Sequence, residues 1–123
     1  MLQKYLTWLE DLVRSCEYIA SDTSEMTFDD YLSDRRTRQA VERNFEIIGE
    51  VLIRLERADP MLVARISRHR QVIDFQNRIA HGYDDIDEDL VWEIIQNAVP
   101  VLRAEAEAII NDTDQHSRGL TRG

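Results

Sequence analysis

Apolar residues recur along this chain at intervals that alternate between four and three positions, which is the spacing of an amphipathic α-helix. The first stripe of this kind consists of Tyr5, Leu9, Leu12, Cys16 and Ile19. A second stripe, in a helix that begins near Asp34, repeats the spacing with Val41, Phe45, Ile48, Leu52 and Leu55. No segment alternates with the two-residue period of a half-buried strand. The pattern therefore predicts an all-α fold.

Residues that start or stop helices divide the chain into further elements. Thr27 and Asp30 match a capping box that opens a short helical turn. Pro60 precedes a third helix, predicted over residues 61–80, because proline is tolerated in the first turn of a helix and not at its end. Asp87 is a suitable N-cap for a fourth helix. We therefore predict an antiparallel bundle of four main helices with one additional short helical turn.

A glycine and a proline inside the predicted helices need an explanation. Gly49 lies in the middle of the second helix, where glycine costs about 1 kcal/mol relative to alanine, so we expect another helix to approach closely there. Pro100 should kink the fourth helix, because proline removes the hydrogen bond to the carbonyl of Gln96. The end of the chain is polar, so we expect a helical domain over residues 1–111 and a flexible tail over residues 112–123.

The composition fits one soluble domain. With 123 residues, 43% of them apolar, the chain can bury a core without disulfides or metal ions. Cys16 is the only cysteine, and the longest uncharged run, residues 94–102, is about half the length of a membrane span. We therefore expect a cytoplasmic protein with no membrane partner. Trp8 and Trp92, at the ends of their stripes, either complete the core or face a partner chain.

The net charge of −9 argues against a protein that coats nucleic acid through bulk charge, but the charge is unevenly distributed. Residues 35–78 contain ten arginines and six acidic residues, a balance of +4, which leaves −13 on the flanking segments. Solvated helix faces with i,i+4 ion pairs explain most of these arginines. A local groove that binds phosphate is the functional alternative, because the arginine fork matches phosphate oxygens.

The end of the third helix groups side chains that could cleave RNA. Asn77, Arg78 and His81 stand at i,i+3 and i,i+4 spacings, and Gly82 lets Tyr83 project beside them. A histidine moves protons near neutral pH, an arginine stabilises charge on phosphate oxygens, and an amide orients the phosphate. A histidine cation that favours the helix C-terminus, with an arginine that caps carbonyls, explains the same residues. Spacing alone leaves both interpretations open.

A metal site is less favoured at this position. Asp84, Asp85 and Asp87 follow His81, but no second histidine or cysteine stands at ligand spacing. Asp87 is better explained as the cap of the fourth helix. We therefore predict that the protein uses neither a metal ion nor a cofactor.

Three stretches together resemble the HepT branch of the HEPN superfamily. They are Tyr31 to Arg43 with Ile47 to Glu50 after it, the run Asn77-Arg78-Ile79-Ala80-His81-Gly82-Tyr83, and Val91 to Ile95 with Pro100 to Leu102 after it. The resemblance covers about residues 3–111. It implies a helical bundle that forms a homodimer, with the active site facing a cleft between the two protomers.

The resemblance also implies a function. It implies a metal-independent toxin ribonuclease with RNA, and not DNA, as its substrate. It implies a cognate MNT nucleotidyltransferase antitoxin that silences the toxin by attaching AMP to the tyrosine of a His-x-Tyr motif. On this resemblance, His81 is the catalytic histidine, Asn77 is the polar residue after the family arginine, and Tyr83 is the site of AMP attachment.

One position departs from the family pattern, which is an arginine, four residues and then the histidine. Gln76 stands here in place of the arginine, and glutamine donates hydrogen bonds but supplies no charge. Arg78, or an arginine of the partner protomer, could take the role. The alternative function is a catalytically weakened dimer that serves as the binding partner of a nucleotidyltransferase.

Overall fold

The computed structural model describes residues 2–80 and 86–122, with side chains described as far as residue 112 except that of Ala80. All regular structure in these ranges is helical, as predicted. The elements are α1 (Gln3–Thr23), α2 (Phe28–Ser33), α3 (Arg35–Ala58), α4 (Pro60–Val63), α5 (His69–Ala80), α6 (Glu88–Glu93), a π-helical turn (Ile94–Ala98) and α7 (Val99–Arg122).

Side-chain caps start three of the helices where the sequence predicted them. The backbone N–H of Asp30 donates to Thr27 Oγ1 over 3.1 Å, and the N–H of Thr27 donates back to Asp30, which completes the capping box of α2. Asp34 accepts from the N–H of Thr37 over 3.0 Å, so α3 begins at the next residue after Asp34. Asp87 caps α6 in the same way.

The long helices pack side by side around one core. Helix α1 lies between α3 and α7, and α3 also packs against α5. Tyr5, near the start of α1, donates from its hydroxyl to the carbonyl of Ala58, at the end of α3, so these two helices run antiparallel. Fully buried side chains from each of these helices form the centre, among them Leu9, Leu12, Phe45, Leu52, Val72 and Leu102.

The predicted third helix over residues 61–80 is wrong in its extent. Helix α4 ends at Val63, turns follow, and α5 begins only at His69. The backbone N–H and the hydroxyl of Ser67 donate to the carboxylate of Glu105 on α7, over 3.1 and 3.0 Å. This contact with a residue that is distant in sequence holds the turns, and the local apolar pattern does not reveal it.

Pro100 is accommodated by a π-helical turn directly before it. The N–H of Val99 donates to the carbonyl of Ile94, five residues back, which is π-helical hydrogen bonding. The helix then continues as α7 to Arg122, so its backbone extends past residue 111, where the predicted domain ends.

The partial burial of Trp8 and Trp92 follows from packing within this chain, against Tyr5 and Tyr31 respectively. Among the described residues, no helix is long and apolar enough to cross a membrane.

Candidate active site

The apolar face of α5 fixes this helix on α3. Val72 and Ile73 are buried, and the ring of Phe75 meets the ring of Phe45 edge-on, with centroids 5.2 Å apart. The packing sets the rotation of α5 about its axis. It therefore decides which of the following residues face the core and which face solvent.

Gln76, the residue in place of the family arginine, is buried where α5 touches α3. Its side chain is only 7% exposed. A Cβ atom on Gly49 would lie less than 3.0 Å from Cβ and Cγ of Gln76, which confirms the close helix approach predicted at Gly49. Within the described ranges, no donor is placed to hydrogen-bond to Gln76 Oε1. Leaving a buried acceptor unpaired costs about 1–3 kcal/mol, so packing stability alone does not account for this side chain.

Asn77 and Arg78 follow on the exposed side of the last turn of α5. Arg78 is two positions after Gln76, which is about 200° around the helix axis. Arg78 therefore does not lie where the side chain of Gln76 lies. His81 and Tyr83, the predicted catalytic and modified residues, lie outside the described residues, and the described part of α5 ends at Ala80.

A second group of titratable side chains comes from three other elements: Tyr31 on α2, Arg38 and Glu42 on α3, and Glu88 on α6. Burial raises the pKa of Tyr31, which is fully buried and packs on the ring of Trp92 at a centroid distance of 5.4 Å. Burial also raises the pKa of Glu42, and the charge of Glu88 raises it further. Burial raises the pKa of Glu88 against the opposing effects of Arg38 and the Tyr31 hydroxyl.

The contacts in this group are only partly complete. Tyr31 Oη and Glu88 Oε2 are shielded from solvent, and among the described residues neither forms a hydrogen bond of normal geometry, although each shifts the pKa of the other. Arg38 donates to the backbone carbonyls of Tyr31 and Leu32, which ties α2 to α3. The sequence pattern did not reveal this group. Its one signal was that Tyr31 to Arg43 belongs to the stretches that carry the family resemblance.

A cavity of about 350 Å³ lies beside this group. Arg38, Glu42 and Glu88 line it together with Ile86, the first described residue after the segment that carries His81. Polar groups that are costly for stability thus lie close in sequence to the predicted catalytic histidine. Within residues 2–80 and 86–112, no three His, Cys, Asp or Glu side chains come together in a way that could hold a metal ion.

Comparison with known proteins agrees with the resemblance noted in the sequence. Residues 3–109 match the family model of HepT-like ribonucleases, described as "Ribonuclease HepT-like". A proposed RNase of Methanocaldococcus jannaschii is 31% identical over 112 residues, which cover 87% of this chain and 88% of the relative. The probable ribonuclease HepT of Thermococcus cleftensis is 28% identical, over 89% of this chain and 98% of the relative.

Proposed function

This chain belongs to the HepT-like ribonuclease family, and we propose that it cleaves RNA without a metal ion as the toxin of a toxin–antitoxin pair. The observation that carries the proposal is the exposed pair Asn77 and Arg78 on the last turn of α5, directly before His81. An exposed amide and an exposed guanidinium at this point suit a phosphate group that approaches from solvent.

The proposed reaction needs only the RNA and these side chains. The imidazole of His81 takes the proton of a 2′-hydroxyl, whose oxygen then bonds to the adjacent phosphorus as the bond to the 5′-oxygen breaks. The His81 imidazolium then gives this proton to the leaving 5′-oxygen, so the products carry a 2′,3′-cyclic phosphate and a 5′-hydroxyl and the imidazole is again neutral. Arg78 stabilises the charge on the phosphate oxygens, and Asn77 orients them. The active protein is a homodimer with the site in the cleft between protomers.

The ribonuclease proposal is tested by incubating the purified chain with RNA in excess chelator. We expect cleavage that leaves cyclic phosphate ends, and a loss of at least about 100-fold in rate for His81→Ala, the range of one general base. His116→Ala is the matched control and should cut at the original rate. The proposal fails if chelator abolishes cleavage or if His81→Ala cuts like the parent protein.

We further propose that a partner nucleotidyltransferase silences the toxin by attaching AMP to Tyr83. Intact-mass measurement after incubation with the transferase and ATP should show added AMP. The addition should disappear in Tyr83→Phe and persist in Tyr18→Phe, a control at a side chain that is 54% exposed. An unchanged mass, or AMP that persists in Tyr83→Phe, removes Tyr83 from the proposal.

The burial of Gln76 favours a second candidate function, a catalytically weakened dimer that binds the nucleotidyltransferase. An uncharged side chain packed against Gly49 supplies no cation for a phosphate. Expressing the protein in cells that lack the nucleotidyltransferase separates the two candidate functions. Growth arrest that is relieved by His81→Ala would contradict the catalytically weakened dimer. A nearly inactive parent protein, together with a large increase of the RNA cleavage rate in Gln76→Arg, would support the catalytically weakened dimer.

A further inference from the structure

We propose that the corner between α2 and α3 is a binding groove for the substrate strand, in which Arg35 and Arg36 hold the phosphates of single-stranded RNA. The proposal rests on the proposed function, since RNA is the ligand in both. The groove has a volume of about 700 Å³, and Met26, Ser33, Arg35, Arg36 and Gln39 contribute to its walls.

Arg35 and Arg36 are adjacent, exposed and not neutralised. Neither guanidinium forms an ion pair with another described side chain. Six other arginines with described side chains pair with carboxylates, for example Arg70 with Glu56. Two adjacent free forks beside an open groove are suited to bidentate contacts with successive phosphates.

The acidic residues of the groove are already engaged with the backbone. Asp30 accepts from the N–H of Thr27, and Asp34 accepts from the N–H of Thr37. The N–H of Thr37 holds the pKa of the Asp34 carboxyl below its usual range, so this carboxylate stays charged and directed into its own helix end. The helix end is therefore occupied by Asp34, and the arginine side chains are the groups left to bind an anion. The net negative charge of the whole protein keeps its non-specific affinity for nucleic acid low.

The groove continues toward Ile86, the first described residue after the segment that carries His81. The cavity of about 350 Å³ shares Arg35 and Gln39 with this groove and reaches Ile86. Four residues lie between His81 and Ile86, so the two Cα atoms are at most about 18 Å apart even in a fully extended chain. A strand that lies along the groove can thus present a neighbouring nucleotide at His81. Gln39 adds an amide that can hydrogen-bond to a 2′-hydroxyl or a base edge.

The binding test uses a fluorescent single-stranded RNA with 2′-O-methyl groups, which the proposed reaction cannot cut, and the full chain. We expect Arg35→Gln/Arg36→Gln to weaken binding about tenfold or more. The slope of log affinity against log salt should fall by about 1.4, the value for two phosphate contacts on a single strand. Arg35→Lys/Arg36→Lys keeps the charge and should retain most of the binding. Equal melting temperatures of the variants show that the fold is unchanged.

The matched control is Arg54→Gln/Arg57→Gln, the same change of charge on exposed residues nearer the other end of α3. It should change the RNA affinity less than about threefold, because only the overall charge is altered. Equal losses in the two double variants, no loss in either, or no RNA binding by the parent protein would each overturn the groove. If a mononucleotide displaced the labelled RNA as effectively as unlabelled RNA does, the site would be a simple anion site, and this result would also overturn the proposed RNA groove.

Cleavage kinetics separate this proposal from the proposed ribonuclease function. A dinucleotide carries a single phosphate, the one that is cut, and has none left for the groove, so Arg35→Gln/Arg36→Gln should raise KM for a long RNA and leave cleavage of the dinucleotide unchanged. Groove-dependent binding by a chain that does not cut RNA supports the groove and contradicts the ribonuclease. Cleavage of long RNA with an unchanged KM in the double variant contradicts the groove and supports the ribonuclease.

Discussion

The two ends of helix α5 are built on different principles. At its entry, residues 64–70, opposite charges meet in pairs that bridge to other elements. The pairs are Arg65 with Asp112 at 2.5 Å, Arg68 with Glu93 at 4.0 Å and Arg70 with Glu56 at 2.5 Å. Ser67 adds two hydrogen bonds to Glu105. The two hydrogen bonds favour the folded state, and the partly exposed ion pairs contribute about 0–1 kcal/mol each.

The exit of α5, residues 76–80 with 86–88 after the segment that carries His81, adjoins polar groups that disfavour the folded state. Gln76 is buried with no described donor for its oxygen, and the like charges of Glu42 and Glu88 line one cavity. Proteins tolerate such groups chiefly where they serve a function. The contrast fits an entry that anchors the helix and supports the proposed chemistry at the exit, and it can be tested from both ends.

The largest effect is expected at the exit, where α5 touches α3. Gly49→Ala should destabilise the protein by about 2 kcal/mol, because the new Cβ would lie less than 3.0 Å from Gln76 and the helices must separate. The better helix propensity of alanine offsets part of this loss. Urea unfolding measures the change. Glu50→Ala, at the exposed neighbouring position, is the control and should stay within about 0.5 kcal/mol. A stable Gly49→Ala would contradict the close contact.

The next effect is expected at the entry. Glu105→Ala removes the acceptor of both Ser67 hydrogen bonds and should cost about 1 kcal/mol of unfolding free energy. Ser67→Ala keeps the backbone bond and should cost about half as much. Glu107→Ala, which removes an ion pair with Arg103 within α7, is the control with an expected loss below about 0.5 kcal/mol. Equal losses for Glu105→Ala and Glu107→Ala would show that the entry is not anchored by Ser67.

The sequence predicted those parts of the fold whose causes are local. The capping box at Thr27, the start of α3 after Asp34 and the cap at Asp87 each depend on residues within one helical turn, and the structure confirms all three. Gly49 predicted the close approach of another helix for a similar reason, because a glycine inside a helix usually marks a position where a larger side chain would not fit.

The sequence could not predict features that depend on contacts between distant segments. The break before α5 is held by Glu105, which lies 38 positions after Ser67. Likewise, the group of Tyr31, Arg38, Glu42 and Glu88 forms only when α2, α3 and α6 meet, so its parts looked like ordinary helix surface or caps. At the candidate site, spacing predicted that Asn77 and Arg78 group with His81, which lies outside the described residues, and the burial of Gln76 follows from the rotation of α5 on α3.

A smaller effect is expected from the like charges at the exit, and its sign depends on pH. Burial raises the pKa of Glu88 in the folded state, so ionisation of this carboxyl opposes folding. The penalty is absent below the unfolded pKa of about 4.3, grows as pH rises through the folded pKa and is complete at neutral pH. Glu88→Gln should therefore raise Tm by about 2 °C at neutral pH, a small shift because the Glu88 residue is only partly buried although its Oε2 is shielded.

The same measurement near pH 4 should show no difference between Glu88→Gln and the parent protein. Glu10→Gln, at an exposed position on α1, is the control and should leave Tm unchanged at both pH values. A lower Tm for Glu88→Gln at neutral pH would mean that attraction to Arg38 outweighs the burial of Glu88. The exit would then resemble the entry, and the contrast between the two ends of α5 would fail.

The smallest effect is expected for a single ion pair at the entry. Arg70→Gln breaks the contact with Glu56, but both side chains are partly exposed, so the loss should be about 0.3 kcal/mol and should vanish in 1 M salt. Adding Arg65→Gln should give a loss equal to the sum of the two single losses, since the two pairs share no partner. A larger combined loss would show that the entry pairs act as one network. The anchoring of α5 would then be cooperative, and its entry would unfold as a unit.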